Sequence, residues 1–377
     1  MSRIFVTGLG AVSPAGWGLP ALRTALEKSE PLPTQWLAMP PRSGDSVSPQ
    51  VIGNRGTRGQ AVPTPVAGNR PRAVRQVPNP VPRPAFMAHP RLRRTSPISQ
   101  YAAGAAWEAL EKVKGLAGDA GSSRAQKCRV GIVMCLYCGC IQHSYRFYDE
   151  VLQDPLTASP LVFPETVFAA PASHLAGLFE LTPLVTTLVG DPATLLQGFA
   201  LAADWLLQGW VDLCLVVGAE ETNWLLADAL WHFDHGACLS GGAGAFCLSA
   251  DPADSLGVEL ELITSVHTFA AGVTRASAAE QMRRELAGPS EGYLLCDGVA
   301  GTSRFDASES AAWADWNGAR LSPKKVLGEG LMAAAAWQCV AGSDAVAQHK
   351  FPAALVSLVG CNQQAIGARF AVHSAGI

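Results

Sequence analysis

Cys135, Cys138 and Cys140 stand in a CxxCxC spacing that could gather thiolates around zinc or an iron–sulfur cluster. No second cysteine or histidine cluster of matching spacing completes such a site, and packing in a buried strand and turn is the simpler reading. His232 and His235, in WHFDHG, also have a metal-like spacing. Cys296 beside Asp297 would need a base to act as a nucleophile, yet no histidine lies close in sequence and its strand is apolar. Asp191 and Pro192 make a good helix start, an N-cap followed by proline at the first helical position. Lys324 and Glu329 are spaced to form an ion pair of structural kind at the start of an Ala-rich helix. His174, within FAAPASHLAGL, belongs to the core or to an interface.

Hydrophobic periodicity supplies the elements that must position these groups. Ile4 to Thr7 reads as a strand, Leu19 to Lys28 as a helix, Ser99 to Val113 as a helix, Val130 to Leu136 as a strand and Phe163 to Phe179 as a buried helix. Leu184 to Val189, Ala193 to Gln208 and Val211 to Val217 form a strand–helix–strand unit, whose spacing is that of a parallel crossover. The second half repeats the plan more loosely. Strands are expected at Gly257 to His267, Tyr293 to Cys296 and Ala354 to Val359, and helices at Ser277 to Leu286, Ala307 to Trp316 and Gly328 to Val340. Two similar α/β halves, 1–250 and 251–377, would pack face to face as layers of helix and sheet. Between Met39 and Arg94 the composition changes to eleven prolines, ten arginines and one acid, Asp45, which predicts a long, partly extended loop; a solvated proline-rich excursion is the simpler reading, and contact of its positive charge with an acidic carrier protein or phosphate is the alternative.

The bulk figures narrow the class. With 377 residues, 49% hydrophobic, 16% charged and net charge −3, the chain should bury a large core and show little charged surface, a hint of an extensive interface. No run of 18 apolar residues and no signal peptide is evident, so a cytoplasmic address without membrane contact is expected, with ten reduced cysteines. Nothing resembles a nucleic-acid module.

Three segments together resemble the β-ketoacyl synthase family of the thiolase fold: VTGLGAVSPAG at the start, GWVDLCLVVGAEE, and HFDHGACLSGGAGAFCL. The resemblance implies an α/β protein of two similar halves in an α-β-α-β-α arrangement. It also implies a cysteine at the head of the buried helix, where the dipole favours thiolate, and two histidines that serve decarboxylation. The cysteine position falls on Pro192, which offers neither a thiol nor a backbone N–H. The first histidine position falls at or beside Asp297 in LLCDGVAGTS; the second, in KKVLGEG, is Glu329, with Lys324 retained. The family's Gly-Phe-Gly-Gly loop, a donor to the oxyanion, survives only as VGCNQQAIG.

These departures are similar to those of chain-length factors, the inactive partners in type II polyketide synthases. The resemblance thus implies a non-catalytic subunit of a type II polyketide or aryl-polyene-like system. Such a subunit forms a heterodimer with an active ketosynthase and binds no cofactor directly; the phosphopantetheine of an acyl carrier protein serves the partner. Phe163, Val167 and Phe168 match the places that gate the acyl tunnel, with ordinary interface core as the alternative, and Leu136 and Tyr137 could line the same channel. In the family the His232–His235 segment is a loop, which favours a satisfied turn over a metal site. Two alternatives stay open, a homodimeric acyl-binding protein and a diverged enzyme using Asp297, Glu329 or Lys324 as acid or base.

Overall fold

The computed structural model describes residues 3–39, 70–111, 113, 128–269 and 273–373. Ten strands run across one sheet in the order Ala319–Leu321, Leu294–Cys296, Ala353–Val359, Gln364–Val372, Val258–Ile263, Phe5–Ser13, Gly242–Ser249, Leu213–Glu220, Val130–Leu136 and Leu184–Val189. Two short strands, Gly16–Trp17 and His267–Thr268, attach beside this path. Each half has the same internal order, 1-5-4-2-3 counted from its own first strand. In both, the fifth strand runs antiparallel to its two neighbours, while the fourth, second and third are parallel. The halves meet where Phe5 and Val6 pair with Glu259 and Val258.

Strand composition dictates the layers. VGIVMCL at 130–136 is apolar at every position because both faces are covered. Ile132, Met134 and Leu136 join an outer core with the helix Pro97–Glu111, whereas Val133 and Cys135 face an inner core. That inner core holds the helices Thr194–Leu207 and Met332–Ala347 together with strand residues of both halves, such as Val216 and Phe246 of the first and Val356 and Phe370 of the second. The helix Arg275–Leu286 covers the outer side of the second half. Gly8 and Gly10 show why VTGLG has its glycines: a Cβ there would stand 1.9 and 2.0 Å from the carbonyl oxygens of Ala109 and Ala105. The helix Pro97–Glu111 therefore lies directly on the strand backbone.

Several expectations need correction. Phe163 to Phe179 is not one buried helix: Phe163–Thr166 is a short 3-10 turn, the helix is Ala170–Leu178, and Phe163, Val167 and Phe168 are exposed. Pro164 and Pro171 break the run, since neither can donate a helical hydrogen bond. Lys324 sits on a separate short helix, Pro323–Leu327, and Glu329 on the linker before the Ala-rich helix, which begins at Met332. Within the Met39 to Arg94 segment, residues 40–69 lie outside the described residues. Its end is not a loop throughout, because Arg72–Arg75 forms a strand between Gln35–Leu37 and Leu239–Ser240.

Candidate functional site

The head of the central helix is built by a carboxylate. Asp191, fully buried, accepts the Ala193 N–H at 3.2 Å, while its Oδ2 accepts the N–H groups of Gln363 at 3.0 Å and Gln364 at 3.3 Å. The loop reciprocates: Gln363 Oε1 accepts the Asp191 N–H at 3.3 Å, and Gln364 Nε2 donates to Thr194 Oγ1 at 3.0 Å. Burial pushes the Asp191 carboxyl above the ordinary aspartate range, and the amides of Gln363, Gln364, Ala193 and Asn362 pull it back. Pro192 follows, but the α-helix proper starts two residues later at Thr194 with Ala193 as its N-cap, so Asp191 and Pro192 stand ahead of the helix and not at its N-cap and first position as expected. Among the described residues the first turn of this helix carries no cysteine, and the thiol near it is that of Cys361 on the facing loop.

The groups at the two histidine positions are likewise spent on protein partners. Lys324 Nζ meets Glu329 Oε2 at 2.8 Å, both groups buried, and Glu329 Oε1 accepts the Leu331 N–H at 2.8 Å. That contact helps to hold Leu331 at φ 50, an uncommon conformation for a branched residue. Asp297 accepts from Ser322 Oγ at 2.6 Å and from the Val299 N–H at 3.2 Å, with Arg320 Nε 3.4 Å from its Oδ2. Desolvation raises its pKa, against the pull of Ser322 and Arg320. Next to it lies Glu309, buried and bonded to the Gly298 N–H and Ser357 Oγ; burial, with the Asp297 charge second, pushes its carboxyl up to about 7.

Sequence reasoning named Asp191 only as a cap and passed over Glu309, Arg275 and Cys361. Arg275 donates to the carbonyls of Arg304 and Val359, at 3.1 and 3.2 Å, and lies over the Phe305 ring. Cys361 is a thiol on the 360–364 loop, hydrogen-bonded with Tyr137; burial and the nearby Asp191 and Glu329 push it up to about 12, so it is not a thiolate. A signal for Glu309 was present. It follows Asp306 by three residues, on one helical face, just after the tight DGVAG run. Glu220 and Glu221 signalled themselves as adjacent acids ending an apolar strand. Glu220 accepts the amides of Tyr137 and Cys138 and is pushed by burial up to about 8; Glu221 accepts from Ser96, Ile98 and Gln142.

The proposed channel residues divide between the core and the surface. Tyr137 reaches the site through Cys361, Leu136 is enclosed in the outer core, and Phe168 lies against the Gly139 turn. Phe163 packs on Phe147, ring centroids 5.3 Å apart, at the surface. His174 Nε2 pairs with Glu165 at 2.8 Å; His232 is exposed, and His235 Nδ1 contacts the Trp231 carbonyl. Cys135 is buried and pushed up to about 12, and burial also raises Cys138, Cys140 and Cys296. Among the described residues, no group of three or more His, Cys, Asp or Glu side chains is placed to hold a metal ion.

Residues 1–230 match the family model "Beta-ketoacyl synthase, N-terminal domain", well over half of the chain. The chain belongs to the β-ketoacyl synthase family. Ketosynthase structures share its whole architecture. The ishigamide ketosynthase/chain length factor superposes with a TM-score of 0.70 at 18% identity, covering 99% of this chain and 100% of that one. A type II PKS acyl-carrier protein in complex with its ketosynthase bound to the hexaketide (AntDE:AntF) gives 0.73 at 17% identity, covering 99% of each chain. A β-ketoacyl synthase from Burkholderia phymatum STM815 gives 0.72 at 18%, covering 99% and 100%. No curated protein sequence matches the chain. The fold is thus the ketosynthase, thiolase-type architecture expected from the motifs, with its two similar halves. Among the described residues no helix is long and apolar enough to cross a membrane.

Proposed function

We propose that this β-ketoacyl synthase family member is a non-catalytic, cytoplasmic subunit of chain-length-factor type. It pairs with an active ketosynthase and helps to bound the acyl tunnel in which the partner extends a polyketide-like chain. The observation that carries the reading is the helix end at Asp191–Pro192, which holds no thiol to take an acyl group, with Asp297 and Glu329 where imidazoles would serve decarboxylation. A place for the partner is supported by exposed apolar side chains gathered in one stretch of sequence, Tyr148, Leu152, Leu156, Phe163, Leu184 and Val185. The basic rim formed by Arg93, Arg94 and Arg146 around a cavity of about 450 Å³ suits docking of an acidic acyl carrier protein against it. The phosphopantetheine stays on that carrier, and this chain holds no cofactor of its own.

The test is co-expression with a ketosynthase encoded beside it. Native mass spectrometry should show a one-to-one heterodimer, and Phe163→Ala should lengthen the partner's product by one extension unit. A stable homodimer indifferent to the ketosynthase, with an unchanged product profile, would leave the acyl-binding homodimer instead. One observation favours a diverged enzyme as a second reading: two buried carboxyls, those of Glu309 and Asp297, lie close enough for the Asp297 charge to act on Glu309, and burial raises both. That reading requires turnover of acyl-carrier substrates by the isolated chain and its loss in Asp297→Ala or Glu329→Ala, with Lys324 as a further acid–base candidate.

A further inference from the structure

We infer that Asp191 is a built-in occupant of the oxyanion hole, a carboxylate that takes up the amide donors an acyl transfer would need and so closes this chamber a second time, independently of Pro192. The inference rests on the proposed reading of the Asp191–Pro192 helix end. An oxyanion hole consists of converging N–H groups aimed at an oxygen that gains negative charge. Here two successive amides of the 360–364 loop, those of Gln363 and Gln364, converge on Oδ2 of Asp191, and the Ala193 amide holds Oδ1. The partial positive charge at the start of the Thr194–Leu207 helix favours the same anion.

The loop is shaped around that oxygen. A Cβ at Gly360 would stand 1.8 Å from Asp191 Oδ2 and 2.4 Å from its Cγ, so only glycine leaves room for the carboxylate. From the other side Arg275 draws in the Val359 carbonyl, and Gln364 ties the loop to Thr194. The loop is thus fastened at both ends around an internal anion. Replacing Pro192 with cysteine restores a thiol but leaves the donors occupied.

Two experiments on the full chain test this. In the first, Pro192→Cys and Asp191→Ala/Pro192→Cys proteins are treated with the hexanoyl thioester of N-acetylcysteamine. The introduced sulfur attacks the carbonyl, the thiol proton passes to the departing N-acetylcysteamine thiolate, and peptide mass spectrometry reads the S-hexanoyl product. Iodoacetamide, whose displacement passes through no oxyanion, reports access alone. The double variant should acylate roughly 30-fold faster than the single one, a fraction of what one oxyanion donor contributes, with alkylation rates within about threefold of each other. Equal acylation rates, or equal gains with both reagents, overturn the inference while leaving the helix end an open chamber. An introduced thiol inert to both reagents in both variants removes the chamber itself, and with it the reading on which the inference rests.

The second experiment needs no chemistry. Gly360→Ala should raise the unfolding equilibrium constant about tenfold or more through overpacking, and the same change in an Asp191→Ala background should raise it less than about threefold. Additive effects in this cycle would overturn the inference, because the two residues would then not share one space.

Discussion

The two ends of the sheet are equivalent in topology and opposite in chemistry. Leu184–Val189 is the third strand of the first half and forms one edge; Ala319–Leu321 is the third strand of the second half and forms the other. The first is six residues long, with Leu184 and Val185 each 42% exposed and Val189 51% exposed. The second is three residues long, and its Arg320 leans on Asp297. Short, charged edges are how sheets avoid unwanted pairing, and a longer apolar edge invites a partner. The duplicated plan therefore leaves one edge open to assembly and closes the other.

That contrast can be broken most severely at the open edge. Leu184→Lys/Val185→Asp should weaken binding to the proposed ketosynthase partner at least about a hundredfold, the scale of a lost interface hot spot, as read by titration calorimetry or native mass spectrometry. Arg320→Asp, at the opposite edge, should leave that affinity within about twofold. Equal effects at the two edges would dissolve the comparison.

Behind the closed edge, charge is turned inward, and an effect of comparable size is expected there. Glu329→Ala strands the Lys324 ammonium and should cost about 3 kcal/mol or more in urea unfolding, whereas Lys324→Met/Glu329→Leu should stay within about 1 kcal/mol of the parent. If the double change costs as much as the single one, the pair contributes more than mutual neutralisation.

The effect that is smallest per step of the titrated variable sharpens the comparison through pH. Glu220 in the first half is pushed up to about 8 and Glu309 in the second to about 7, both by burial, from ordinary values near 4.5. The folded protein holds protons there that the unfolded chain releases. Their contribution to stability is therefore complete below about pH 4.5 and is lost as pH rises through the folded values, at about 1.4 kcal/mol per pH unit for each proton. Glu220→Gln should flatten the unfolding profile up to about pH 8, and Glu309→Gln only up to about pH 7. Identical profiles for both variants would show that these carboxyls do not carry the slope.

The fold was legible because its signals are local. Continuous apolar runs such as VGIVMCL and LVTTLV, punctuated by glycine, fall on the strands, and Leu19–Lys28 is the helix that its spacing predicts. The strand Gln364–Val372 went unread, since QAIGARFAV mixes alanine and glycine with polar residues and owes its pairing to two neighbouring strands. At the site, the loss of thiol and imidazoles was visible residue by residue. What took their place was not: Asp191 meets Gln363 and Gln364 across more than 170 positions of sequence, and no spacing rule links them. Glu309, Ser357 and Asp297 are likewise brought together by three separate elements.

The small sheet beside the core carries a consequence for how the chain tolerates change. Gln35–Leu37 and Arg72–Arg75 lie side by side with Leu37 opposite Arg72, and Arg72 is anchored by Asp228 and by the face of Trp231. Whatever is inserted between these strands must leave and rejoin the body at adjacent points, so lengthening or exchanging it adds only a slowly growing closure entropy and does not redirect the path of the chain. The stem works as a grafting point, at which evolution or an engineer can attach a new appendage without redesigning the host.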